Sequence, residues 1–189
     1  TMSRLPAAVL LVALTLTVGC GADRSTPNGP DSQLLRSAAR GDLAGVRSAL
    51  ADGANIEHRD GRERTALLLA ATADHVSVAS ELVAAGADVN ALDAQQDTPF
   101  LVTGVTGSVP MLRALLPGRP DTQVRNRFGG VAAIPASERG HVEYVRAVLE
   151  LTDIDVNHVN NLGWTALHEA VILGDGGSLL FGFVLATTA

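Results

Sequence analysis

Aromatic side chains make up 3% of the 189 residues, and Cys20 is the only cysteine. The first scarcity argues against a sheet sandwich, whose strands draw on aromatic and β-branched side chains. The apolar fraction, 47%, is mostly Ala, Val and Leu, which suits close helix packing. A single thiol excludes an intrachain disulfide framework and any cysteine-cluster metal site. Lysine is absent: all 14 basic residues are Arg, set against 20 acidic residues for a net charge of −6. The chain therefore has no global basic field to hold nucleic acid. Missing Lys beside abundant Ala and Gly is the composition of a GC-rich bacterial genome. Neither a G-x-S-x-G nucleophile elbow nor a phosphate-binding P-loop occurs.

One apolar run stands at the start. In "MSRLPAAVLLVALTLTVGC", Arg4 precedes a stretch from Leu5 to Val18, and small residues come after it. Charged start, short apolar core and small-residue end are the order of a secretory signal. The core falls short of the ~20 residues that a spanning helix needs. The end of the segment resembles a bacterial lipobox, in which a small residue precedes a Cys that is lipidated and becomes the new N-terminus. Val18, Gly19 and Cys20 fit it; Thr17 stands where Leu is usual. Residues 1–20 thus read as an export signal ending at a lipidation site, Cys20. The other reading is an ordinary cut after Ala22 that removes the cysteine. "GADRSTPNGPD", residues 21–31, has the composition of a flexible tether.

From Ser32 onward the chain is periodic. Segments beginning at Ser32, Thr65, Thr98, Val131 and Thr165 are spaced 33, 33, 33 and 34 residues apart. Gly41, Asp74, Gly107, Gly140 and Gly174 each lie nine residues after a start, and Asp60, Asp93, Asn126 and Asn160 five before one. Thr65, Thr98 and Thr165 can cap helices through their hydroxyls, and Ser32 can do the same. Pro99 suits a first helical position. Gly107 and Gly140 end short first helices, and Gly86 breaks a second one. Leu112, Leu115 and Leu116, like Val145, Val148 and Leu149, give second helices an apolar stripe. Small Ala70 and Ala71 let neighbours approach. One such unit cannot bury its own face; stacking buries a continuous core.

This period, with "TALHEA" at 165–170, "GADVNALD" at 86–93 and "GHVEYVRAVLE" at 140–150, resembles the ankyrin repeat. The resemblance implies an all-α solenoid over 32–178, four repeats and a partial fifth, each a helix–turn–helix with a projecting β-turn finger. Three features depart from the pattern: Val131 lacks a capping hydroxyl, Pro135 falls inside a first helix with the loss of about one hydrogen bond, and "LPGRPD" replaces a Gly-Ala-Asp turn. The apolar tail at 179–189 is a further departure, because repeat arrays close with a polar outer face. It reads as a truncated end, a frameshifted end or an unusual cap, and implies an aggregation-prone C-terminus.

The histidines offer no catalytic constellation. His168 in the TALH position is expected to bond backbone, His75 and His141 open second helices, and His58 and His158 lie too far apart to share a metal. No metal site, catalytic residue or cofactor is expected. The residues that the repeat leaves free are candidates for binding another protein: Arg62 and Arg64; Gln95 and Asp97; Arg127 and Phe128; Asn161, Leu162 and Trp164. Arg with an occasional aromatic is the composition of an interface hot spot. Phe128 and Trp164 are the expected anchors, unless Trp164 packs beneath the adjacent finger and the arginines form a solvated rim. Arginines at the finger edge point to an acidic partner. The function expected is that of a non-enzymatic, monomeric, exported and lipid-anchored binding module; the alternative is an immunity-type inhibitor covering a toxin or enzyme.

Overall fold

A computed structural model describes residues 29–172. The expected leader, Cys20, nearly all of the tether, Gly174 and the tail at 179–189 lie outside the described residues. Within them the chain forms nine α-helices and no strand: α1 (Pro30–Arg40), α2 (Leu43–Ala51), α3 (Ala66–Thr72), α4 (Val76–Ala84), α5 (Pro99–Thr106), α6 (Val109–Leu115), α7 (Ala133–Glu138), α8 (Val142–Leu151) and α9 (Ala166–Ile172). Consecutive helices pair within a repeat. Across repeats α1, α3, α5, α7 and α9 stack as one layer and α2, α4, α6 and α8 as a second.

Hydroxyl caps start the helices where the register placed them. Thr65 Oγ1 accepts from Leu68 N (3.3 Å) and Thr98 Oγ1 from Leu101 N (3.1 Å). Thr165 Oγ1 accepts from His168 N, and His168 Nδ1 in turn accepts from Thr165 N, so that pair closes on itself. Ser32 does not cap. Helix α1 begins at Pro30 behind Gly29, because proline at the first helical position needs no N–H partner and already has helical φ. Asp31, within the stretch read as tether, is buried and accepts from Asn55 N at 2.7 Å. Without a hydroxyl at 131, α7 starts one residue late, with Ile134 N bonded to Val131 O. Pro135 is then its third residue, where the N–H would have no intrahelical acceptor, so the expected lost hydrogen bond is not lost.

Gly41 and Gly107 close α1 and α5 in the left-handed region, φ 72° and 70°. A Cβ at either would strike the ring of the histidine one repeat on, His75 or His141. Those rings sit there because their Nε2 atoms donate to Ala39 O (3.3 Å) and Val105 O (3.2 Å), bridging successive repeats. The glycine is therefore needed twice over, for its φ and for its missing side chain.

Two apolar clusters fill the space between the layers. One gathers Leu34, Leu67, Leu82, Met111 and Leu115; the other Phe100, Leu112, Val131, Tyr144 and Val148. Helix α6 feeds both. Each fully buried Leu contributes about 1.5–3 kcal/mol relative to exposure, and no single repeat owns enough of them to stand alone.

Candidate partner-binding cleft

Each finger is built on one side chain. Asp60 Oδ1 accepts from the backbone N–H groups of Arg62 and Arg64, Asp93 Oδ1 from Gln95 and Asp97, Asn126 Oδ1 from Phe128 and Gly130, and Asn160 Oδ1 from Leu162 and Trp164, all at 2.8–3.0 Å. This accounts for the Asp/Asn landmark five residues before each start: a short acceptor that bonds two residues on holds the turn. The residues after it are thereby fixed in place, and their side chains are free to differ.

They differ in a graded way. The equivalent tip positions read Arg62, Gln95, Phe128 and Leu162, polar at one end of the stack and apolar at the other. Phe128 is 58% and Leu162 74% exposed. At the inner turn the sequence is Arg64, Asp97, Gly130, Trp164. Glycine beside a partly buried tryptophan leaves a hollow, a cleft of about 500 Å³ between the last two fingers and the first-layer helices. Phe128, Leu162 and Trp164 supply its apolar rim, and Ile134 and Pro135 of α7 its floor, with Val105 of α5 alongside. Asp97, Arg127, Glu138, Arg139 and Glu169 bring charge to the wall.

Five of the nine candidate residues thus meet in one place: Asp97, Arg127, Phe128, Leu162 and Trp164. The other four do not line it. Arg64 is held by its own finger, its Nε and Nη2 donating to Asp60 Oδ2 at 2.9 and 2.7 Å. Burial pushes the Asp60 carboxyl up, but the Arg64 bonds and the two backbone N–H groups outweigh it and hold that group below its usual range. Arg62 and Gln95 stand on the first two fingers. The N–H of Asn161 donates to Phe128 O (3.0 Å), tying the fourth finger to the third.

The charge of the cleft differs from that of the finger edge as the sequence suggested it. Asp97 lies 3.9 Å from Arg127, whose guanidinium sits 4.6 Å above the Phe128 ring. Burial first, and the neighbouring Asp93 carboxylate second, raise the Asp97 carboxyl; Arg127 draws it part of the way back. Glu169 is 8% exposed. Burial, then the Glu138 carboxylate, push its carboxyl up, with His168 opposing. Glu138 and Glu169 escaped the sequence reading because they sit on different helices, on α7 and α9. The available signal was the Gly130–Trp164 pair in equivalent positions, small beside large, which marks a gap.

Comparison with known proteins agrees with this architecture. The family model described as ankyrin repeats, three copies, matches residues 34–126 and 100–181. The chain is 40% identical over 153 residues to the putative ankyrin repeat protein YahD of Escherichia coli K12, covering 81% of this chain and 76% of that one. It is 37% identical over 107 residues to the ankyrin repeat and KH domain-containing protein mask-1 of Caenorhabditis elegans, 56% of this chain but 4% of that much longer one. An ankyrin repeat domain from Acinetobacter baumannii superposes with a TM-score of 0.78 at 43% identity, over 82% of this chain and 81% of the other.

Proposed function

Because the chain belongs to the ankyrin-repeat family, we propose that it is a non-enzymatic module that grips a protein partner in the cleft between its third and fourth fingers. Ankyrin repeats are in general protein-interaction modules, and their fold is typically non-catalytic. The observation that carries the reading to this site is the exposure of Phe128 and Leu162 around a hollow walled by Trp164. Large apolar side chains left exposed around a concavity mark a binding surface more than isolated ones do.

The partner is met outside the cytoplasm in this proposal. The support is the signal-like order of residues 2–20 and the lipobox-like Val18-Gly19-Cys20 ending, with a Gly/Pro/Ser/Asp stretch to act as tether. Attachment through Cys20 would hold the module at a bilayer; no helix among the described residues is long and apolar enough to cross a membrane. The expected acidity of the partner is kept for the first finger, where Arg62 is exposed; the cleft itself calls for a different charge.

A photo-crosslinking amino acid placed at position 162 of the full chain should yield one dominant adduct in cells, identifiable by mass spectrometry. The same probe at Arg47, on α2 of the other layer, should not. Combined replacement of Phe128 and Trp164 by Ala should abolish the adduct while circular dichroism remains helical. An adduct that survives would place the binding surface elsewhere. Fatty-acid label that persists after Cys20→Ser would remove the anchor.

A further inference from the structure

The cleft carries more than apolar rim. Among the described residues the Glu169 carboxylate makes no hydrogen bond and no ion pair; the residue as a whole is more than nine-tenths buried, and its carboxylate opens onto the hollow. A partly desolvated carboxylate without a donor from the protein favours a cationic or hydrogen-bonding guest. Glu138 faces the same space from α7 and raises the cost by repulsion. Asp97 is already answered by Arg127. Arg139, also on the wall, is in none of the ion pairs among the described residues. Of the wall's carboxylates, Glu138 and Glu169 are therefore the two left to meet a guest.

We propose that the cleft receives an arginine side chain from a segment of the partner, its guanidinium between Glu138 and Glu169 and its flanking apolar residues on Phe128, Leu162 and Trp164. The planar fork of guanidinium matches carboxylate oxygens two at a time and stacks on aromatic faces, which an ammonium does less well. Arg127 shows part of this arrangement, its guanidinium 4.6 Å above the Phe128 ring and one nitrogen 3.9 Å from the Asp97 carboxylate. The charges lining the space are Glu138 on α7 and Arg139 just after it, Glu169 on α9, and Asp97 and Arg127 from the second and third fingers; His168 on α9 opposes the rise of Glu169 without lining the cleft. The inference rests on the cleft being the binding surface and adds the chemistry of what enters it.

Trp164 is the sole tryptophan of the chain, so its fluorescence reports on the cleft directly. The full chain is titrated with the capped tripeptide acetyl-Leu-Arg-Leu-amide and with its citrulline counterpart, which keeps the shape and removes the charge. The arginine peptide should change the emission saturably, and citrulline should raise the apparent Kd at least tenfold. Glu169→Gln and Glu138→Gln should each raise it by a similar factor, and Arg139→Gln should leave it unchanged or lower it. Equal affinity for the citrulline peptide, unchanged affinity in both glutamine variants, or weaker binding in Arg139→Gln would overturn the proposal. Circular dichroism and the unliganded Trp164 spectrum identify a variant that has not folded, and the second glutamine variant then carries the test. The two readings fail separately. If the crosslink at 162 survives in cells while the arginine peptide is ignored, the surface stands and the guest is wrong. If that crosslink never forms, the surface itself is wrong.

Discussion

Thr103 and Tyr144 make a directed hydrogen-bond chain between α5 and α8, and its direction sets an order among mutants. Both residues are almost fully buried. Thr103 Oγ1 donates its one proton to Phe100 O at 2.6 Å. The contact between Thr103 Oγ1 and Tyr144 Oη, also 2.6 Å, must then have the phenol as donor. Burial holds that phenol well above its ordinary pKa, so the proton is always there to give. Tyr144→Phe removes the donor and leaves Thr103 bonded to Phe100, a net loss of about 1 kcal/mol. Thr103→Val keeps the shape but strands the phenol O–H with no acceptor. That adds the desolvation cost of an orphaned buried group, for a total of roughly 2–4 kcal/mol. In the double variant nothing polar remains to be stranded, so its cost should fall below that of Thr103→Val alone, with a coupling of about 1–2 kcal/mol. Urea unfolding followed by far-ultraviolet circular dichroism measures all four corners, provided the slope of free energy against denaturant stays constant. Tyr144→Phe costing as much as Thr103→Val, or a double variant equal to the sum, would refute the assigned direction.

Gly41→Ala should cost about 1–3 kcal/mol, because the new Cβ meets the His75 ring as well as an unfavourable φ. Gly140→Ala, at φ 69° with no described atom near its Cβ, should cost only the backbone part, about 1 kcal/mol; thermal melting that ranks the two the other way would discount the histidine bridge. Glu63 sits at φ 61° in the finger position that Gly129 and Gly163 occupy in later repeats. Glu63→Gly should therefore stabilise by about 0.5 kcal/mol, relief of strain exceeding the added freedom of the unfolded chain; a lower urea midpoint would contradict it. The raised Glu169 carboxyl gives a pH signature with a defined sign. Below the ordinary carboxyl value the group is neutral folded or unfolded and contributes nothing. As pH rises through that value towards the raised folded one, the folded state becomes the worse place for the charge and stability is lost. Glu169→Gln should be more stable than the parent chain at neutral pH, the gap closing towards acid; a gap that is flat or widens in acid would show that the carboxyl is not held up.

Much of the fold was legible because its register repeats. The caps at Thr65, Thr98 and Thr165, and the Asp/Asn acceptors of the fingers, recur at fixed offsets, and each answers a local demand of the backbone. The misreadings fall where the cause is not in the repeat. Ser32 lost the capping role to Gly29 and Pro30, which lie outside the register. Arg64 was counted as free, yet its offset of four from Asp60 across a finger turn already put the two within reach. For the site, tip residues could be read off as a row, but the cleft depends on a missing side chain at Gly130 and on carboxylates from two helices. A hole has no residue of its own in a sequence. It appears only when the neighbour across the gap is known.

The position of the cleft also depends on how the fingers are joined. The first and second are tied at their tips by Ala94 N to Arg62 O (3.2 Å), and the third and fourth by Asn161 N to Phe128 O (3.0 Å). Between the second and third tips the described residues show no such backbone bond, only the longer Arg127–Asp97 pair. The helices divide in a similar place: α3 and α4 pack into one apolar cluster, α5, α7 and α8 into the other, and α6 into both. Apart from Asp97 of the second finger, the cleft lies within the second unit. Its two fingers are bonded to each other, and His158 Nε2 donates across the same gap to Gly129 O at 2.6 Å. Preorganisation of this kind lowers the ordering cost that binding would otherwise carry. The exposed Phe128 and Leu162 side chains are thus presented from one bonded pair of fingers. The bonds Asn161 N to Phe128 O and His158 Nε2 to Gly129 O fix the apolar rim before any partner arrives, while Glu169 is placed independently by α9.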